Sequence, residues 1–394
     1  MDMLSVNALR PWRAASALAL AIGLVILVPS GAGASTPWSV VASPNAGTGN
    51  NILSGVSCVS TTSCVSVGIA TTATKIDRTL IESWNGTTWA HAASPNVGTN
   101  HNDLDAVSCV PGSTFCAAVG AFFLPGTHGA PRPLAEVRRG ATWSSVPTQG
   151  IGVASGFNGV SCASPTRCIA VGMYLNGAGA WNTLVEIWNG SSWGRLTSPN
   201  VGTVGGELDA VSCAGATRCV AVGDYETTAQ VDRTLVEVWN GVTWTRVASP
   251  NVGTTANDLV GVSCVAATRC IAVGAVSTAS KVLRTLVEVW DGTAWVRVAS
   301  VNVGTRNNVL FSVSCVSTSS CTAVGEYRNV ANIRRSLIET WDGARWSQVP
   351  APNIGTGENV LESAACVKGT TICKAVGFYT ASSRVSRTLA GSSS

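Results

Sequence analysis

Residues 56–68, VSCVSTTSCVSVG, place Cys58 and Cys64 with five residues between them in a run of small and β-branched side chains. Alone, such a pair suits a metal site, a redox couple or a staple. Repetition decides between them. Leading cysteines fall at 58, 109, 162, 213, 264, 315 and 366, and trailing cysteines at 64, 116, 168, 219, 270, 321 and 373. These are all fourteen cysteines of the 394-residue chain, two in each of seven copies of a unit 51–53 residues long. Self-similarity at such a period marks a repeat architecture.

Each unit holds four short segments of strand-forming composition. The first precedes the leading cysteine, as in Leu53–Ser60. The second carries the trailing cysteine and ends in Val-Gly, with glycines at 68, 120, 172, 223, 274, 325 and 377. The third is RTLIESW (78–84) and its copies, and the fourth follows Asn85-Gly86 and contains Trp89. Asn-Gly or Asp-Gly recurs at 85–86, 189–190, 240–241, 291–292 and 342–343. Flanked by β-formers, these pairs predict a two-residue hairpin turn. In that register Trp84 faces Thr87 and Glu82 faces Trp89, and the tryptophans are diagonal neighbours.

Four antiparallel strands per unit, repeated seven times, predict an all-β, seven-bladed β-propeller of four-stranded blades. The seventh copy stops at RTLAGSSS (387–394), whereas PWSVVASPN (37–45) matches the fourth strand of the other copies, for example WAHAASPN (89–96). The N-terminal strand at about 37–45 is therefore expected to complete the last blade and close the ring, since an open array exposes a sheet edge at each end.

Before the repeats, Arg10 and Arg13 precede the apolar run Ala14–Val28, and Ala32-Gly33-Ala34 follows it. This is the pattern of a cleaved secretory signal over residues 1–34, with the propeller over 35–394. The run is about 15 residues, short of the ~20 needed to span a bilayer, and no later segment is apolar enough. The expected location is outside the cell. An even cysteine count in a secreted chain points to disulfides, here Cys58–Cys64, Cys109–Cys116, Cys162–Cys168, Cys213–Cys219, Cys264–Cys270, Cys315–Cys321 and Cys366–Cys373. Pairs spread over separate blades, in a chain with three histidines, do not supply the converging ligands of a zinc site. Neither metal nor cofactor is expected.

The order Val-Gly, then Glu-x-Trp-(Asn/Asp)-Gly-x-x-Trp, resembles the kelch repeat in all seven units, with one glycine in place of the kelch doublet. The SC…C.AVG and WNGT.W segments are also similar to uncharacterised secreted repeat proteins of actinobacteria. Both resemblances imply the propeller fold. The histidine and tyrosine ligand pattern of the kelch-type copper oxidase domain has no match here.

Charged residues make up 12% of the chain and the net charge of +4 is spread along it, which argues against a nucleic-acid partner. The third-strand arginines (78, 132, 233, 284, 335, 387) and glutamates (82, 136, 186, 237, 288, 339) recur symmetrically. A catalytic carboxylate is normally unique, so these are expected to be architectural and to pair across strands or blades. The tryptophans are expected to pack between blades rather than to stack on sugars.

Function belongs where the repeat is broken. The face opposite the disulfide turns carries the longer second-to-third loops and the SPNVGT crossovers, and loops on a rigid scaffold are where binding resides. Four residues before the leading cysteine stand Ser54, Asp105, Asn158, Asp209, Val260, Phe311 and Glu362; two residues after the Val-Gly glycine stand Phe122, Tyr174, Tyr225, Tyr327 and Tyr379, with Asp224, Glu226, Glu326 and Arg328 beside them. The candidate ligand-binding residues are Asp105, Asn158, Asp209, Glu362, Tyr174, Tyr225, Tyr327 and Tyr379, acceptors and aromatic platforms suited to a polar ligand. In the second unit, Ala121–Pro133 is two residues longer and Arg138-Arg139 replaces Trp-Asn. The expected function is a secreted, monomeric binding module for glycans or extracellular protein partners, without catalytic residues. The alternatives are a glycan-active hydrolase or lyase using Asp105, Asp209 and Glu362, and a purely structural surface protein.

Overall fold

Alternating Val, Ile, Thr and Ala along each copy give strands that bury both faces between neighbours. In the computed structural model, which describes residues 37–124, 129–201 and 205–394, twenty-eight strands form seven four-stranded antiparallel sheets. The proposed signal at 1–34 lies outside the described residues. Strand β1 spans Trp38–Val41, and the first blade comprises β2 (Asn51–Ser60), β3 (Ser63–Thr71), β4 (Asp77–Trp84) and β5 (Trp89–Ala92). Each innermost strand packs beside that of the next blade, and β26 (Asn359–Cys366) returns to β2. The last sheet runs β26, β27 (Cys373–Thr380), β28 (Ser386–Ser393), then β1, with Trp38 opposite Ser393 and Val41 opposite Ala390. The N-terminal strand closes the ring as expected. All seven expected disulfides are formed, each joining residues directly opposite on the inner hairpin with Cα atoms 3.9–4.0 Å apart. Among the described residues no helix is long and apolar enough to cross a membrane.

The cores lie between blades. One cluster joins Ile169, Val171 and Val185 of the third blade to Leu208, Leu235, Trp239 and Trp244 of the fourth, and its copies recur around the ring. The tryptophans sit in these joints, as expected. Their register differs from the expectation: the third-to-fourth connection is a four-residue loop. Asn85 Oδ1 accepts the N–H of both Thr87 and Thr88 at 2.9 Å, and the Asn85 N–H meets Thr88 O at 3.3 Å. With the asparagine side chain completing the turn, Gly86 alone needs positive φ, 103°. Pairing shifts by two, so Trp84 faces Trp89 directly and Glu82 faces His91. The two rings lie 5.6 Å apart.

The blades are also tied by polar bonds that the repeat signals without explaining. The serine before the leading cysteine accepts the backbone N–H of the next blade's leading cysteine. Ser57, Ser108, Ser161, Ser212, Ser263 and Ser314 do so at 2.9–3.0 Å. In the seventh copy that serine is Ala365. At the junction of the last and first blades, Ser363 Oγ instead accepts the Val56 N–H at 3.2 Å. At the same seam Lys374 lies with Nζ 3.8 Å from the Trp84 ring centre. The inner tryptophan is missing instead from the joint between the sixth and seventh blades, where Ser393 holds its position in the repeat.

The Val-Gly glycine has a steric reason in every copy. A Cβ at Gly68, 120, 172, 223, 274, 325 or 377 would come within 2.0–2.3 Å of a carbonyl oxygen on the innermost strand. Opposite each glycine the innermost strand carries a β-bulge. Gly223→Ala is expected to cost about 3 kcal/mol, in the range of severe backbone effects. Urea titration with the unmutated chain alongside measures it, and an unchanged midpoint refutes the steric account.

Candidate functional site

The position that each bulge skips in the strand register is Ser54, Asp105, Asn158, Asp209, Val260, Phe311 or Glu362. A bulge re-aims a side chain that regular pleating would send elsewhere. Here it places one side chain from every blade around a cavity of about 250 Å³ on the propeller axis. Walking round the ring, the last blade and the first four contribute Glu362, Ser54, Asp105, Asn158 and Asp209, and the remaining two contribute Val260 and Phe311. The wall is therefore polar over five consecutive blades and apolar over two, with Ser312 and Ser363 adding hydroxyls. None of the lining side chains is basic.

Asp105 and Asp209 are buried, 8% and 6% exposed. Asn158 Nδ2 donates to Leu208 O at 3.1 Å and to Asp209 Oδ1 at 3.3 Å, which bridges the third and fourth blades at the cavity wall. Toward the crossover face, Glu207 and Asp224 pair across their strands. Together with Asp209 they bring carboxylate oxygens within 4.8 Å of one another. Glu207 stands six residues before its cysteine, where the other copies carry Ile52, Asp103, Gly156, Asp258, Val309 and Val360, so the repeat does not single it out.

The structure brings Asp105, Asn158, Asp209 and Glu362 to one cavity, and it sends the tyrosines elsewhere. Tyr174, Tyr225, Tyr327 and Tyr379 are half-buried at the crossover ends of their strands and pack against the inter-blade cores. None of the four lines the cavity. The Arg246 guanidinium lies 4.6 Å from the Tyr225 ring centre.

Six strongly perturbed carboxylates lie outside the cavity. Glu82, Glu136, Glu186, Glu237, Glu288 and Glu339 are each 0% exposed. Burial pushes Glu82, Glu186, Glu288 and Glu339 up to about 7, and Glu136 and Glu237 up to about 8. Perturbed groups often mark active sites, but six copies mark joints. Each glutamate accepts from the crossover that enters its blade. Ser43, Ser94, Ser198 and Ser249 donate through Oγ at 2.6–3.2 Å. Where the usual proline of that crossover is Gln149 or Val301, the freed backbone N–H donates instead, at 3.0–3.1 Å. The arginines do not pair with these glutamates. Arg78, Arg233, Arg284, Arg335 and Arg387 each donate to two or three carbonyls of the crossover that follows. The expected pairing of these two residue types with one another is therefore not found among the described residues: the glutamates bond to the crossover that enters their blade and the arginines to the crossover that follows it.

No family model and no curated protein matches the chain. Solved structures do. YCF48 bound to D1 peptide aligns with a TM-score of 0.51 at 12% identity over 91% of this chain and 97% of its own. The WD40 β-propeller domain of Doa1 aligns at 0.54 and 11% identity over 91% and 97%. A polysaccharide lyase PL25 (ulvan lyase) bound to -[GlcA(1-4)Rha3S]- aligns at 0.54 and 10% identity over 87% and 93%. At such identities the likeness shows the β-propeller fold alone.

Proposed function

We propose that the chain is an extracellular binding module whose axial cavity takes a small polar group of a glycan or protein partner. The observation that carries the reading is the bulged ring, polar on five blades and apolar on two. A scaffold so regular elsewhere departs from its own repeat where seven side chains converge. At about 30 Å³ per water, the cavity has room for roughly eight waters, enough for one sugar ring or one side chain. The uncharged and acidic wall favours hydroxyl, amide or amine donors over carboxylate or sulfate groups. Among the fold neighbours, YCF48 was solved with a peptide and the PL25 lyase with a saccharide. Seven disulfides are consistent with an oxidising, extracellular setting.

A glycan array probed with the chain from Ser35 onward, beside Asp105→Asn/Glu362→Gln, tests this reading. Binding to neutral or amino sugars that weakens at least about tenfold in the double variant is expected. Binding indifferent to both substitutions removes the cavity from consideration. Cleavage of an arrayed sugar would transfer the site to the hydrolase or lyase class.

A further inference from the structure

The repeat is also broken at the disulfide-turn end of the blades. The residue before the trailing cysteine is Arg167, Arg218 and Arg269 on the third, fourth and fifth blades, and Ser63, Phe115, Ser320 and Ile372 on the others. Each arginine ends the disulfide turn, paired across it with Ser164, Gly215 or Ala266. Strand alternation turns it toward the joint with the next blade. Ile169, two residues on from Arg167, packs into the joint between the third and fourth blades. Phe115, at the same position in the second blade, stacks on Trp188 of the third. Four blades complete this position without a cation, so the fold does not require one.

All three arginines are half-buried, and Nε of each is buried with no hydrogen-bond partner among the described residues. The glutamates of the same joints are held at the crossover end. Glu237 and Glu288 accept from Ser198 and Ser249 at 2.6 Å, and Glu339 accepts the Val301 N–H at 3.1 Å. A buried donor left unsatisfied costs stability, and three on adjacent blades point to a ligand. Arg138 and Arg139 extend the arc onto the second blade. They donate to Thr114 O at 3.1 Å and Gly190 O at 2.9 Å, neutral partners that leave the charge in place. Against these five arginines, the turns at this end of the second to fifth blades hold one carboxylate, Asp291, whose Oδ1 accepts the N–H of Thr293 and Ala294. On the sixth blade Asp342 pairs with Arg345 at 3.5 Å. The charge looks dilute along the sequence because Arg167, Arg218 and Arg269 stand 51 residues apart. The ring brings them to one face.

We propose that this arc binds a linear acidic polysaccharide, its carboxylate or sulfate groups seated in turn on Arg167, Arg218 and Arg269. Guanidinium forks match such anions in bidentate geometry. The exposed Thr166, Thr217 and Thr268 beside them offer hydroxyls to the sugar. A row set at one repeat step suits a ligand that is itself a repeat. Single-stranded nucleic acid would need aromatic platforms, and the tryptophans at this end are buried. None of these arginines lines the axial cavity.

The probes are fluorescently labelled polygalacturonate and dextran sulfate, titrated against the chain from Ser35 onward, with unmodified dextran as the neutral control. Saturable binding of at least one acidic polymer is expected, the tighter one naming the anion, with dextran at least about tenfold weaker. Arg167→Gln/Arg218→Gln/Arg269→Gln should weaken it at least about tenfold. Lys75→Gln/Lys281→Gln/Arg384→Gln removes the same charge from exposed loop tips on the crossover face and should leave affinity unchanged. Should the triple arginine variant fail to fold, Arg218→Gln alone is expected to weaken binding about threefold or more. Asp105→Asn/Glu362→Gln should have no effect here, so failure of this site and failure of the cavity are read apart. The site is refuted if neither acidic polymer binds at millimolar sugar, or if the crossover-face variant weakens binding equally. It is also refuted if the arginine variant, with melting temperature intact, binds like the unmutated chain. Polyglutamate or anionic vesicles binding as tightly as the polysaccharides would transfer the arc to an acidic protein or a lipid surface and overturn the glycan assignment.

Discussion

Removing residues 37–45 is expected to lower the melting temperature by more than ~10 °C. This segment is the fourth strand of the last blade and part of the joint to the first. Trp38 packs on the core between the last two blades, and Val41 flanks the core between the last and first. Asn45 Oδ1 accepts the Thr388 N–H at 3.1 Å, and Thr388 Oγ1 donates to Ser43 O at 3.3 Å. Ser43 Oγ donates to the buried Glu82 at 2.8 Å. Deletion strips these contacts and bares the edge of β28, which invites pairing between chains. At ~2–4 °C per kcal/mol for larger domains, losing one strand, one tryptophan and one buried donor accounts for the size of the drop. Calorimetry with light scattering measures both effects. A ring that melts unchanged would refute closure by this strand.

The second large effect is on pH. The six joint glutamates have folded-state pKa values of about 7 to 8, against an ordinary 4.5. The fold binds protons that the unfolded chain has released, so their stabilising contribution is full below about 4.5 and is lost as pH rises through 7 to 8. Each pKa unit is worth about 1.4 kcal/mol per group. Across the strand, Arg195, Arg246 and Arg297 face Glu186, Glu237 and Glu288, and His91 faces Glu82. Ser145 and Gln348 face the other two. The melting temperature should therefore fall by at least ~10 °C between pH 5 and pH 8.5. Glu136→Gln/Glu339→Gln, which fixes the neutral form at the two joints without a cation, should melt higher than the unmutated chain at pH 8.5 and equally at pH 5. A profile that is flat, or rises with pH, would contradict neutral acids in the joints.

The fold was legible because seven internal copies act as their own control: cysteines, Val-Gly glycines and paired tryptophans keep one spacing, and the displaced fourth strand at 37–45 announces closure. Hairpin register was not legible, because Asn85 completes its turn with a side-chain oxygen rather than with a second positive φ. The cavity positions stood out as the variable column containing Asp105, Asn158, Asp209 and Glu362. What aims them, a bulge opposite a glycine, emerges only from strand pairing. The tyrosines shared a column too, but which side of a blade they occupy depends on that same pairing, and it sends them into the joints.

The serine-to-amide bonds that link innermost strands make six of the seven joints interchangeable, and Ala365 makes the last one bespoke. Where the ring opens is thus written in the seventh blade rather than in the position of the chain ends. A circular permutant with new termini in the crossover between the fourth and fifth blades, and the old ends joined, would still carry its one joint without the serine-to-cysteine bond, where Ser363 meets Val56. Mechanical unfolding of such a permutant would begin at that buried joint.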